Sequence, residues 1–399
     1  MITRLRIENF KSLQNVDVPL RPLSLFTGLN GMGKSSFIQV LLLLQQSHSQ
    51  QLSGQGLMLN GPLVSLGTGQ DVLSEGAESE YISIQIWSDA MREPFSWKLK
   101  SQNDSDALKV EAFKLPDEIT ASYNDSNYIY TLPAHKQPIS TVSYAASRFP
   151  FLKGEKTQYL SAERISPQLA YPTSSHEVSQ RHLGKHGEYT PHFLAEHGDE
   201  QVRFRNVLFP DTVGQETPNT LVQQVGAWLN EISPGLRLEA SLNREFGLAR
   251  VGYAYQTAVG YTRPFRPDNV GFGLSYALPV LTAILSARKD SLLIIENPES
   301  HIHPRGQSKL GELLALAAQN NVQLLVETHS DHVLNGVRVA VKKYQLDPER
   351  IGLYFFERAD EQLSHQTRIV QPKLDKDGRI DVWPRHFFDE WDNNLMELL

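Results

Sequence analysis

The chain has 399 residues, room for one large domain or two ordinary ones, and 40% of them are hydrophobic, enough for a sizeable core. Its formal net charge is −7, which argues against a basic coat for nucleic acid while leaving room for a local basic groove. It has no cysteine, so disulfides and thiolate metal sites are excluded. The opening Met1-Ile2-Thr3-Arg4-Leu5-Arg6 lacks the apolar stretch of a signal peptide, and the apolar runs are far shorter than a membrane span. A cytoplasmic protein is expected.

Residues 2–27 read as three short strands, carried by Leu5, Ile7 and Phe10, then Val16, Val18 and Leu20, then Leu23, Leu25 and Phe26. The third runs into Gly28-Leu29-Asn30-Gly31-Met32-Gly33-Lys34-Ser35-Ser36, which fits the P-loop pattern G-x-x-x-x-G-K-[ST]. The apolar run Phe37 to Leu44 then reads as a buried helix. Strand, glycine loop and helix are the context in which this pattern holds phosphate. Glycines let the backbone curl until successive N–H groups face inward, and the helix N-terminus adds partial positive charge. Asn30, Gly31, Gly33 and Ser36 would cradle the phosphates of ATP. Lys34 would reach the β- and γ-phosphates, and the Ser35 hydroxyl would ligate Mg²⁺.

A glycine-rich link follows through Gly54, Gly56 and Gly61, then a compact stretch at 62–73. From about 80 to 132 apolar residues alternate with polar ones, at Ile82, Ile84 and Ile86, at Phe95, Trp97 and Leu99, at Leu108, Val110 and Ala112, and at Tyr128 and Tyr130. This predicts an antiparallel β insertion over about 76–156. Tyr159-Leu160-Ser161-Ala162 reads as a strand returning to the main sheet. Residues 165–220 are polar and show no core periodicity. A helix is predicted at 220–232 with Leu221, Val225, Trp228, Leu229 and Ile232 on one face. This makes a polar and helical insertion of about 165–255, of which residues 165–235 are expected to form the partner-facing part. No heptad repeat is sustained, which excludes a long coiled-coil arm.

From 270 the pattern becomes α/β again. Helices are predicted at about 275–287, at 305–319 and from Ser330, with strands at 292–295, 322–326 and 351–356. Near-continuous apolar strands alternating with helices imply a parallel sheet covered on both faces. The strand Leu292-Leu293-Ile294-Ile295 ends in Glu296-Asn297-Pro298-Glu299, which puts Glu296 where ligands sit in open α/β sheets. It is the candidate carboxylate for Mg²⁺. Asn269-Val270-Gly271-Phe272-Gly273-Leu274-Ser275 is a second glycine turn before a helix, either an anion site or a turn capped by Ser275. Glu327-Thr328-His329-Ser330 places His329 at the same sheet edge.

In this order the four segments resemble the ATP-binding-cassette class of P-loop ATPases, nearest to the RecF, SMC and OLD branch, over residues 1–75 and about 157–356. The resemblance implies an α/β head with a mixed, mainly parallel sheet and flanking helices. Gly28 to Ser36 match its Walker A segment. Val270 to Ser275 match its signature segment loosely, because Leu-Ser-Gly-Gly is absent, so Gly271, Gly273 and Ser275 would face a nucleotide. Glu296 stands for the Walker B aspartate, His329 for the switch histidine and Gln70 for the Q-loop residue that meets the metal. His301-Ile302-His303-Pro304 is similar to the D-loop region. The position after the Walker B carboxylate, a glutamate in that class, is Asn297 here. An amide can orient water but accepts no proton at neutral pH. The resemblance therefore implies slow turnover, with Glu299 as the residual base. It also implies a homodimer formed around ATP, head to tail.

The tail from Val382 to Trp391 is similar to a short domain of unknown function that ends a family of single-head bacterial ATPases, many encoded beside anti-phage effectors. A head over 1–372 and a tail over 373–399 are thus expected, with the tail aromatics acting as a packing clamp. The tail is too short for the Toprim nuclease of OLD proteins, and Asp375, Asp377 and Asp381 are expected to decorate a turn near Gly378. His176, His182, His186, His192 and His197 are expected in a solvated loop. Three functions stay open: an ATPase switch on a separate effector protein, a DNA-repair ATPase that binds DNA, and a scaffold with little turnover.

Overall fold

A computed structural model describes residues 1–48, 56–115, 119–124, 127–131, 150–154, 156–210, 218–360 and 364–398. Gly54 of the expected link lies outside them. The chain opens with β1 (Ile2–Phe10), β2 (Leu13–Pro19) and β3 (Leu23–Gly28), then α1 (Lys34–Gln46). A short β4 (Leu57–Met58) and the single turn α2 (Gly69–Val72) lead to β5 (Tyr81–Ser88), β6 (Phe95–Lys100), β7 (Ala107–Leu115), β8 (Ile119–Asn124) and β9 (Asn127–Thr131). After β10 (Thr157–Leu160) come β11 (Tyr171–Pro172), α3 (Ser175–Ser179), α4 (Thr190–His197), α5 (Leu221–Leu229), β12 (Leu236–Asn243), β13 (Leu248–Thr257) and β14 (Gly260–Tyr261). The last third carries α6 (Phe272–Ser286), β15 (Leu292–Glu296), α7 (Pro304–Ala318), β16 (Gln323–Glu327), α8 (Asp331–Tyr344), β17 (Ile351–Asp360), β18 (Ser364–Val370) and α9 (Glu390–Leu398).

The central sheet has the order β10-β15-β16-β3-β17-β18, parallel except for the β17–β18 pair. Its inner strands are apolar on both faces because both are covered. On one face Leu23, Leu25, Leu293 and Ile295 join a core with α6, α7, α8 and the segment around α4 and α5. On the other face Phe26, Ile294 and Leu325 join a second core with α1 and the antiparallel sheet. Phe26, Phe37, Tyr354 and Phe356 cluster there with Phe26–ring centroid distances of 5.2, 5.5 and 5.9 Å. They lock β3 to α1 on either side of the glycine loop.

The alternating segment at 80–132 is inserted in sequence but not in space. β5 pairs antiparallel with β1, so the meander continues the N-terminal hairpin in the order β2-β1-β5-β6-β7-β8-β9. The region 165–220 departs from its expected polarity. Tyr171, Val178, Leu183, Phe193, Leu194, Val202 and Val207 are buried in the main core with Trp228. These residues build core, so the polarity of the segment belongs to the positions between them. The helix predicted at 275–287 starts earlier, at Phe272, because Gly271 in extended backbone (φ −64°, ψ 139°) is its N-cap, not Ser275. The histidines at 176–197 are not all in a solvated loop, since His192 is buried.

In the tail, Phe387 is buried against Phe355 with centroids 5.4 Å apart, and the Arg338 guanidinium lies 5.4 Å from the Trp383 ring. Asp375 Oδ1 accepts the N–H groups of Asp377 and Arg379 around Gly378, which has φ 74°. Phe387 packs as expected and Asp375 shapes the turn, whereas Trp383 is exposed and the Trp391 side chain lies outside the described residues.

Candidate nucleotide site

The C-terminal ends of β3, β15 and β16 converge on the glycine loop. Gly28 has φ 132°, and a Cβ there would lie 2.2 Å from the Phe356 carbonyl oxygen. Gly33 has φ 92°, and its Cβ would lie 2.6 Å from Thr367 Oγ1. No side chain fits at either position. Thr367 of β18 donates from Oγ1 to the Met32 carbonyl at 3.1 Å, so the outermost strand helps hold the loop. A cleft of about 890 Å³ opens beside it, lined by Asn30, Gly31, Gly33, Lys34, Ser35 and Ser36. Its far wall is made by Lys11, Asp71, Glu75, His365 and Gln366, none of which the sequence singled out. Gln70 is exposed on α2 and is not among the lining residues, whereas its neighbour Asp71 is.

The Lys34 ammonium is buried and donates to the carbonyls of Gly28 (2.9 Å) and Leu29 (2.8 Å). Burial lowers its proton affinity. The Ser35 hydroxyl lies 3.1 and 3.2 Å from the two oxygens of Glu327. Glu296 and Glu327 are register partners on β15 and β16, so two carboxylates stand side by side at the sheet edge. Burial, together with the Glu296 charge, pushes the Glu327 carboxyl up to about 7, against the pull of Lys34 and Ser35. Glu296 itself turns the other way. Its Oε1 accepts from the Tyr159 hydroxyl (3.1 Å) and its Oε2 from the Ala162 N–H (3.1 Å). Arg164, buried behind it, donates to the Glu296 carbonyl at 2.7 Å, and burial pushes its guanidinium down to about 10.

Beyond Glu296 the chain bends sharply. Asn297 has φ 43°, and its N–H donates to the Glu327 carbonyl at 2.8 Å. Its Oδ1 is buried without a partner, as is Oε2 of Glu299. Glu299 Oε1 accepts the His329 N–H at 2.8 Å, and burial raises the Glu299 carboxyl above its ordinary value. His329 is exposed and does not line the cleft; partial desolvation and the charge of Lys34 lower its proton affinity. So Glu296, Asn297, Glu299 and His329 are brought together beside Glu327, but of these five only Glu327 lines the cleft.

The second glycine turn is elsewhere. None of Gly271, Gly273 and Ser275 lines the cleft. Gly271 is exposed and open, and Phe272 beside it is 54% exposed. Gly273 is buried because the His301 carbonyl closes on it, 2.5 Å from where a Cβ would sit. Ser275 is buried, its hydroxyl directed at Tyr171 and Tyr253. The histidine of the expected D-loop, His301, packs its ring on Tyr276 (4.6 Å) and Phe272 (5.9 Å).

Fit to Mg·ATP is good on this chain's own atoms. A glycine cradle, a buried ammonium and a hydroxyl on a carboxylate of raised proton affinity together suit a polyanion and a cation.

Fold and site define a P-loop ATPase with a head of the SMC type. The chain is similar to the crystal structure of an SMC head bound to the C-winged helix domain of ScpA, at 12% identity over 94% of this chain and 98% of that chain, with TM-score 0.52. An Smc head with an extended coiled coil bound to the C-terminal domain of ScpA, derived from Pyrococcus furiosus, matches at 12% over 100% and 99%, TM-score 0.47. The SMC head of Thermotoga maritima matches at 11% over 92% and 98%, TM-score 0.41. No curated protein matches the sequence. The chain belongs to the family described as "AAA domain, putative AbiEii toxin, Type IV TA system", whose model covers residues 112–335. An AAA domain model covers 4–161, which includes the P-loop, and the protein of unknown function DUF3696 covers 346–398. No helix among the described residues is long and apolar enough to cross a membrane.

Proposed function

We propose that this chain is an ATP-hydrolysing switch that binds Mg·ATP, pairs head to tail with a second copy around it, turns over slowly and governs a separate effector, in an anti-phage setting. The observation that carries the reading is the Ser35–Glu327 contact set against a paired Glu296 and an amide at 297. Lys34 and the loop N–H groups would hold the phosphates, and Ser35 with Glu327 would hold Mg²⁺, with Glu296 one strand further out. Bound Mg²⁺ supplies charge neutralisation across the phosphate oxygens. Asn297 orients water through its free Oδ1, and Glu299, with its raised proton affinity, takes the proton. A buried base of this kind works at a loss against a glutamate adjacent to the metal carboxylate, where general-base help is typically ~10²–10⁴-fold.

Pairing is supported by α6, whose Gly271–Phe272 end is exposed and open while its own P-loop cleft contains none of it. A toxin–antitoxin association in the family description supports an effector role. The division into a 1–372 head and a 373–399 tail belongs to the same proposal.

Calorimetric titration with Mg·ATP and steady-state turnover test it, in wild type, Glu327→Gln and Glu296→Gln. The metal role of Glu327 requires that Glu327→Gln lose Mg²⁺ dependence. If only Glu296→Gln does so, Glu296 is the metal carboxylate. If the wild type binds no Mg·ATP, the reading fails.

A further inference from the structure

A second cleft, of about 450 Å³, opens at the other end of the parallel sheet, where β10 and β15 begin. Thr157 and Leu293 form its floor, the last turn of α6 one wall, and the loop between α3 and α4 the other. Its rim is cationic: Lys156, Arg181 and Arg288, with imidazoles at 182 and 197. One carboxylate, Glu200, lines it, and that group is already engaged. Its Oε1 meets His197 Nδ1 at 2.8 Å and its Oε2 accepts from Arg181 at 3.0 Å.

Arg288 is left over. Its Nε–H is buried with no partner, and among the described residues it makes no ion pair. Burial and the charges of Arg181 and Arg203 lower its proton affinity, with Glu200 offsetting only part. The final turn of α6 carries only partial negative charge, enough to seat a cation but not to neutralise it. At the floor Thr157, 5% exposed, has a hydroxyl without a partner. A fold that keeps cations crowded and polar groups unmet around a cavity is stabilised when an anion enters it.

We propose that this cleft is a binding site for a small phosphate-bearing ligand, distinct from the P-loop. The unpaired Arg288 guanidinium and the Lys156 ammonium, beside an Arg181 already held on Glu200, suit a phosphate better than a single carboxylate. The volume lies within the range of about 300–1,000 Å³ for small-ligand pockets. Thr157 would hydrogen-bond a phosphate oxygen from below, and Arg288 would meet it from α6. The inference does not depend on the nucleotide reading above.

The test uses the full chain carrying Lys34→Ala, which silences the P-loop, with pyrophosphate, inorganic phosphate and AMP as probes in calorimetry and thermal melts. Pyrophosphate is expected to bind and to raise the melting temperature. Arg288→Gln should weaken it tenfold or more, and Lys156→Gln, at an exposed position, several-fold. Without probe, Arg288→Gln should melt no lower than its parent, because a crowded charge is gone. AMP binding tighter than pyrophosphate identifies a nucleotide, and the reverse identifies a free or sugar-borne phosphate. The site is overturned if no probe binds at millimolar concentration, if both substitutions leave pyrophosphate affinity unchanged, or if Arg288→Gln melts lower without probe, which would make the arginine structural.

Discussion

The two glycine turns of this chain are built for opposite situations. Around Gly28 to Ser36 three polar groups are held by the same chain: Lys34 by two carbonyls, Ser35 by the Glu327 carboxylate, and the Met32 carbonyl by the Thr367 hydroxyl. At Gly271 to Ser275 the end of α6 is bare, with an open glycine and an exposed phenylalanine, and the serine that resemblance would aim at phosphate is turned into the core. The first turn is finished by its own fold. The second has a backbone ready for something outside the chain, which is the asymmetry a shared site between two copies demands.

The largest effect expected of any single change strikes the finished side. Lys34→Ala should leave the fold intact and weaken ATP binding by roughly 10²-fold or more, about 3 kcal/mol. Calorimetry at matched Mg²⁺ checks it, and an unchanged affinity would break the comparison at its root. Next comes the bare side. Gly271→Glu adds bulk and charge where nothing stands within 4 Å, so ATP-stabilised dimers should vanish in sedimentation while the monomer melts normally. Gly273→Glu should instead lower the melting temperature, because its Cβ collides with the His301 carbonyl inside the same chain. Equal dimerisation in Gly271→Glu and wild type would remove the trans half-site.

A finer measurement follows the carboxylates. Glu327 sits at about 7 in the fold against an ordinary 4.5, so its contribution to apo stability is fully present below about 4.5 and lost as pH rises through about 7. Metal needs the ionised form, so Mg²⁺-dependent ATP affinity should rise with pH up to about 7 and level off. Glu327→Gln should flatten that profile and raise apo stability at pH 8 by roughly 1–3 kcal/mol. A wild-type profile without that rise would take the proton away from Glu327. Smallest is the effect at the water. Asn297→Glu should speed turnover by about tenfold, short of the ~10²–10⁴-fold of a full general base because Glu299 already serves in part, and Glu299→Gln should slow it. If neither changes the steady-state rate, no base outside Glu296 is at work.

How much of this could be read from residues alone depends on range. The P-loop, α1 and the strand ending in Glu296 are local patterns, and the structure has them where the sequence indicates. Glu327 is not local. Its importance arises because β16 lies between β15 and β3, and that order is fixed by packing, although its place at the end of an apolar strand is the same signal that marked Glu296. Arg164 and Tyr159 matter only because β10 is the strand beside β15. The 165–220 core is hard to read because Phe193 and Leu194 sit on a helix of two turns, and Val202 and Val207 on a loop and a single 3-10 turn, each too short for a repeating apolar pattern. Ser275 was read as outward because the helix was started three residues late.

The hydroxyl of Thr367 ties the sheet's outermost strand both to Met32 in the glycine loop and, at 2.8 Å, to the Ser12 hydroxyl in the first hairpin. Thr367 lies inside the C-terminal segment shared with DUF3696 proteins, and its neighbours His365 and Gln366 form part of the cleft wall. The glycine loop is thus completed from a strand more than 300 residues away in the chain, and β18 supplies both an anchor for the loop and part of the cleft wall.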